Sequence, residues 1–272
     1  MSATLAEILT TIDRLWPFAG AESWDASGLV SGDPAAPVRR VRFAVDAVAA
    51  TVDEAIDAGT DLLITHHPLL LRGVTSVAED RYKGALLARL IRADCALISA
   101  HTSADVVEHG TSAVLARALG LTGVTPIVPA ANPDLGLGRV GRLPEPTTLG
   151  RLARRLAEIL PATATGVRVS GGFDDPVATI AVCGGAGDSL LADPAVRGAD
   201  LYITADLRHH PASEAREQAI LGNGPALIDV SHWASEWLWL AAGADELRTA
   251  HPDLEIEVSD LRTDPWDFQV VQ

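Results

Sequence analysis

The chain has 272 residues, 48% hydrophobic and 21% charged, a globular composition with length for one large or two small domains. Its 36 acidic residues outnumber 21 basic ones, giving a formal charge of -15 that argues against nucleic acid as the main partner. No apolar run reaches the ~18 residues of a membrane span, and no basic stretch followed by an apolar core opens the chain, so the expected compartment is the cytoplasm.

Residues 3–16 place apolar side chains at helical spacing until Pro17 stops them. A turn-rich loop follows, carrying Trp24, Asp25 and Gly28. The segment 41–46 reads as a buried strand, 51–59 as a short helix ended by Gly59, and 61–65 as a second buried strand. A helix over about 81–93 leads to a strand at 95–100, and 111–119 forms another helix. The stretch 122–147, rich in Pro and Gly, reads as the connection between two halves. Beyond it come a helix at 148–159, a strand at 177–183 running into GGAGDS, and a strand at 200–204. A helix near 211–220, a strand at 226–230 and an aromatic helix from Ser231 complete the pattern. Strands alternating with helices predict an α/β fold of two similar halves, 1–125 and 126–272, with mostly parallel sheets.

The halves echo each other. AGTDLLITHHP (58–68) resembles RGADLYITADLRHHP (197–211), and ALISAHTSAD (96–105) resembles ALIDVSHWASE (226–236). Either the chain carries an internal duplication or short strand sequences coincide. In each half a strand beginning Ala-Leu-Ile delivers a His and, four residues on, a carboxylate: His101/Asp105 and His232/Glu236. On a helical turn that spacing puts both groups on one face, as two metal ligands require.

His66 and His67 follow directly on the apolar strand DLLIT, in the crevice beyond the strand C-termini where open α/β folds gather ligands. Neighbours in an extended segment point to opposite sides, so the two imidazoles converge only if the backbone turns there. Imidazole and carboxylate without thiolate suit Zn, Fe, Mn, Co or Ni, and four His with two carboxylates exceed the needs of one ion. A carboxylate bridging two ions is a recurring hydrolytic design. Cys95 and Cys183 lie in apolar segments and read as small buried hydrophobes. GGAGDS (184–189) could cradle a phosphate but reads better as a plain strand-to-helix turn. WASEWLWLA reads mainly as a packing helix.

Taken together, the ESWDASGLVSGD loop, ITHHPLLL, AHTSAD, the GGAG turn, ITADLRHH and DVSHWASEW resemble the GTP cyclohydrolase 1 type 2 homologues, also described as Nif-three-like dinuclear-metal hexameric proteins. The resemblance spans nearly the whole chain. It implies two divalent metal ions held in the cleft between the halves by His66, His67, Asp105, His232 and Glu236, with Glu236 as the bridge. His101 is implied as a ligand or as a group beside the ions, and His210 as a proton-transfer group; both are the catalytic candidates. His209 and His251 have no such support. The resemblance further implies a toroidal homo-hexamer and a hydrolase acting on a small, nucleotide-like substrate. The alternative is a ring that handles metal or regulates without catalysis, while a ring around DNA conflicts with the charge. Ser103-Ala104, Ser231 and Ala205 depart from the family's usual Asn-Leu, Gly and Gly, and the connection at 122–147 is too short for the extra domain that some members insert.

Overall fold

The computed structural model describes residues 3–271. In chain order its principal elements are α1 (Leu5–Leu15), β1 (Gly28–Ser31), β2 (Arg40–Ala44), α2 (Ala49–Asp57), β3 (Leu62–Thr65), α3 (Tyr82–Arg92), β4 (Ala96–Ser99), α4 (Thr102–Asp105), α5 (Thr111–Ala118), β5 (Thr122–Thr125) and β6 (Arg139–Thr148). They continue as α6 (Leu149–Ile159), β7 (Arg168–Ser170), β8 (Pro176–Ala186), α7 (Pro194–Arg197), β9 (Leu201–Ala205), α8 (His209–Ile220), β10 (Ala226–Val230), α9 (His232–Ala250) and β11 (Glu255–Val258). Two compact units divide the chain. One holds the residues up to Val107 together with Leu240–Thr263, the other Glu108–Trp239 together with the residues from Asp264. The division expected at 125/126 falls inside the second unit, directly after β5.

In the first unit five strands form one sheet in the order β11-β2-β3-β4-β1, parallel except for β1 at the edge. Every residue of β3 and β4 is buried, which is why both read as unbroken apolar runs. Val52, Ala55, Leu63, Leu86, Leu90, Cys95 and Leu97 pack α2 and α3 onto that sheet. Helix α1 starts where Thr4 and Glu7 cap each other reciprocally, buries Leu5, Ile8 and Ile12, and ends before Pro17.

The second unit carries six strands in the order β7-β10-β9-β8-β6-β5. Only β8, β9 and β10 run parallel; β7, β6 and β5 join antiparallel, so this sheet is mixed rather than mostly parallel. The stretch read as a connection, 122–147, instead supplies β5 and most of β6. Pro144 and Pro146 hide the strand in the sequence because they sit where β6 slips register between Arg142 and Thr147, at which no ladder donor is required. Ala181, Val196, Tyr202 and Leu227 lie in its core with Cys183. No described helix is long and apolar enough to cross a membrane.

The sequence echo is also an echo in register. Leu62 faces Ala96 and Ile64 faces Ile98 in one sheet, as Leu201 faces Ala226 and Ile203 faces Ile228 in the other. Asp61 accepts from the backbone N–H groups of Arg39 and Arg40, both at 2.8 Å, and Asp200 accepts from those of Ala178 and Thr179 at 2.9 and 2.7 Å. Each aspartate, one residue ahead of its apolar strand, thus ties down the start of the neighbouring strand. Both units use the same βαβ device.

Candidate metal centre

In the first unit the donors gather beyond the C-terminal ends of β2, β3 and β4. The parallel ladder continues past the strands, with the His66 and His67 N–H groups bonded to the carbonyls of Ala44 and Val45. The Thr65 hydroxyl then donates to the His67 carbonyl at 2.8 Å, and the bend lets both imidazoles face one region. Their rings stand 5.1 Å apart, and the His101 ring lies 5.3 Å from His66 and 5.6 Å from His67. One ligand atom from each of the three lies within 4.8 Å of the others. Asp105 brings Oδ1 to 3.8 Å from His66 Nε2, near the ~3–3.5 Å that separates two donors bonded to one ion at ~2.1 Å.

Each imidazole is held from behind. His66 Nδ1 donates to the Ala100 carbonyl at 2.9 Å, His67 Nδ1 to Asp46 at 2.7 Å, and His101 Nδ1 to Asp25 at 2.8 Å. A proton fixed on Nδ1 puts the lone pair on Nε2, the arrangement that orients metal-binding histidines. Asp46 is steadied in turn by the Thr263 hydroxyl. Asp25, whose side chain is fully buried, also accepts from Ser27 Oγ at 2.8 Å and from the Thr102 N–H at 3.0 Å. Burial alone would raise its pKa; hydrogen bonds from His101 and Thr102 outweigh it and hold the carboxyl well below the usual range.

His101 and Asp105 both come to lie beside His66, though not as neighbours on one regular helix. His101 precedes the four-residue α4 as its cap residue, with ψ -113°, so its side chain follows the Asp25 loop rather than the helix. The spacing succeeds in the second unit. His232 and Glu236 lie in the first turns of α9, with Nε2 3.0 Å from Oε1. Asp206, the residue after β9, adopts a left-handed φ of 55° and takes the His232 Nδ1–H at 2.8 Å. Burial works to lower the His232 pKa, but the Glu236 and Asp206 carboxylates raise it well above the ordinary imidazole value. Ser231 caps α9 by accepting from the Ala234 N–H at 3.2 Å, a role the family's usual Gly could not fill.

Gly185 was singled out in sequence only as part of a turn. Here β8 runs through it to Ala186, and its register shift falls between Val182 and Ala186. The Gly185 N–H donates to Ser235 Oγ at 2.9 Å, and its carbonyl accepts from Thr204 Oγ1 at 3.0 Å. The expected strand-to-helix turn forms at Gly187, which leads into a short 3-10 turn over Asp188–Leu190, and the strand before it carries a bulge beside Glu236 and His232. Sequence reading also passed over Asp25, Asp46 and Asp206 as supports of the histidines. The available signal was position, since Asp46 and Asp206 each follow a buried strand just as His66 follows β3. His210 lies exposed in the first turn of α8 with its ring against His209 at 5.2 Å, and it belongs to neither donor group.

The donor chemistry fits a divalent cation: imidazoles whose Nδ1 atoms are held by fixed acceptors, carboxylates, and both cysteines buried elsewhere. The model of Duf34/NIF3 (NGG1p interacting factor 3) matches residues 3–265. The chain belongs to the DUF34/NIF3 family. A Streptomyces coelicolor relative named GTP cyclohydrolase 1 type 2 homolog is 51% identical over 98% of this chain and 94% of its own length. A Mycobacterium tuberculosis relative of the same name is 36% identical, covering 98% of each chain in an alignment of 376 positions. Among solved NIF3-like folds, a Staphylococcus aureus hypothetical protein superposes with a TM-score of 0.87 at 28% identity, covering 99% of this chain and 100% of that one. Reduced HcgD from Methanocaldococcus jannaschii gives 0.79 at 27% identity over 96% of this chain and 99% of its own.

Proposed function

We propose that this NIF3-family protein is a metal-dependent hydrolase that holds two divalent ions with His66, His67, Asp105, His232 and Glu236, and acts on a small, nucleotide-like substrate. The observation that carries this reading is the backing of every imidazole, His66 by a backbone carbonyl and His67, His101 and His232 by Asp46, Asp25 and Asp206. Such backing is costly to assemble and serves ligands whose Nε2 must present a lone pair in one direction. Bound divalent ions would supply acidification of water and polarisation of the electrophile. The chain's own residues supply the rest. Asp25 orients His101, which the Trp24 ring meets edge-on at 5.7 Å, so His101 is the better supported of the two acid–base candidates. His210 stays in the proposal as a proton-transfer group only on the strength of resemblance.

The relatives' name points to hydrolytic opening of a purine nucleotide ring, and the homo-hexamer is carried by resemblance alone. The test is turnover by purified protein loaded in turn with Zn, Mn, Fe, Co and Ni, assayed on nucleoside triphosphates, phosphoesters and cyclic amides. Metal-dependent turnover lost in both His67→Ala and Glu236→Ala is expected. Tight metal binding with no turnover on any of these would replace the hydrolase with a metal-handling protein.

A further inference from the structure

We infer that the segment 264–271 of one copy adds as a strand to the free edge of β7 in a second copy, a contact independent of the metal reading. The segment begins firmly, with the Ser231 hydroxyl bonded to Asp264 at 2.8 Å. Beyond it the large apolar side chains stand in solvent: Trp266 is 61% exposed, Phe268 80% and Val270 74%. Alternation at 266, 268 and 270 is the period of a strand with one apolar face, and Asp267 and Gln269 fall on the other, followed at the end by Val271. Among the described residues no helix or strand forms over this segment.

The complementary surface lies in the second unit. Among the described residues β7 is an outer strand paired only with β10, through Val169↔Ile228 and its neighbours, and its other edge carries no strand. On one side of β7, Val167 and Val169 join Ala153, Ala157 and Phe173 in a groove of about 400 Å³ against α6. On the other side stand Arg168, which is paired with Asp229 yet keeps its side chain 60% exposed, and Arg216. Parity decides the match. A strand added to β7 with Trp266, Phe268 and Val270 on the Val167/Val169 side necessarily sets Asp267 on the Arg168 side. Shifting by one residue would put three apolar side chains on the arginines and Asp267 in the apolar groove. Charge agrees as well. Asp267 would face the exposed Arg168 and Arg216, while on the groove side Arg154 lies 5.1 Å over the Phe173 ring. An exposed apolar strand and an open edge of opposite polarity are the two halves of a β-addition contact.

The experiment uses the full chain carrying single cysteines. Phe268→Cys and Ala153→Cys are placed on two differently tagged copies, co-expressed, purified together and oxidised gently. A disulfide joining the two tags at twice the chain mass is expected, and it should disappear when Val169→Glu is added to the Ala153→Cys copy. The same pair of cysteines placed on one chain distinguishes the other occupant. A disulfide formed only within that chain means the segment covers its own groove and overturns the inference. Absence of any disulfide in either format overturns it too.

Discussion

Gly185 stands where a side chain would collide with Glu236: a Cβ built there would lie 2.3 Å from Glu236 Oε1 and 3.2 Å from His232 Nε2. Its φ of 69° adds a backbone penalty for any other residue. Gly185→Ala is therefore expected to displace Glu236 and cost about 1–3 kcal/mol of stability. Elemental analysis should find the metal content of the variant reduced while its circular dichroism stays that of the parent. Full metal occupancy would remove Glu236 from the ligand set.

The carboxylates behind the histidines are expected to matter without touching metal. Asp46→Asn and Asp206→Asn should each weaken metal affinity by about 10–100-fold, measured by competition with a chromophoric chelator. Thr263→Ala, which removes the hydroxyl steadying Asp46, should give a smaller loss in the same direction.

Asp25 makes a prediction in pH. Its folded pKa is depressed, with the His101 and Thr102 hydrogen bonds overcoming burial, so its contribution to stability is complete above the unfolded carboxyl pKa of about 3.9. That contribution is lost as pH falls toward the folded value. Urea unfolding of wild type and Asp25→Asn should show a gap at pH 7 that persists at pH 5 and narrows by pH 3. A gap that widens on acidification contradicts the assignment.

Two adjacent residues of α4 should respond oppositely to loss of a hydroxyl. Thr102 Oγ1 accepts from the Glu22 N–H at 2.9 Å and donates to Asp25 at 2.5 Å, so Thr102→Ala should cost about 1–3 kcal/mol. Ser103 Oγ is buried without a hydrogen-bond partner among the described residues. Ser103→Ala should leave the chemical-denaturation midpoint unchanged or raise it.

Burial pushes the Cys95 thiol up to about 12, and Cys183 is likewise buried. Neither should react with an aromatic disulfide reagent at pH 8 in native protein, and both should react once it is unfolded. Rapid reaction in the native state would place a thiol at the surface.

Much of the fold was legible because buried parallel strands leave an unmistakable trace. DLLIT, ALISA, DLYIT and ALIDV pack on both faces, so their apolar runs carry little ambiguity, and β10 falls on the expected residues 226–230. The strands missed within 122–147 join antiparallel, and their Pro and Gly residues sit at irregular positions that read as loop. The donor residues were legible for a related reason. Ligands just past buried strands stand out as polar residues following apolar ones, which made His66, His67, His101 and His232 visible.

What supports those donors was not legible. Asp25 meets His101 across 76 positions, Asp46 meets His67 across 21, and Asp206 meets His232 across 26. Sequence by itself determined the buried strands, the duplicated Asp–strand–Thr pattern and the histidines and carboxylates available for coordination, because burial and helical spacing are local properties. Tertiary structure decided which carboxylate holds which imidazole, that His101 and Asp105 meet beside His66, and that Gly185 backs onto Glu236. Those outcomes depend on distances between chain segments that meet only after the sheets assemble, and no local periodicity encodes them.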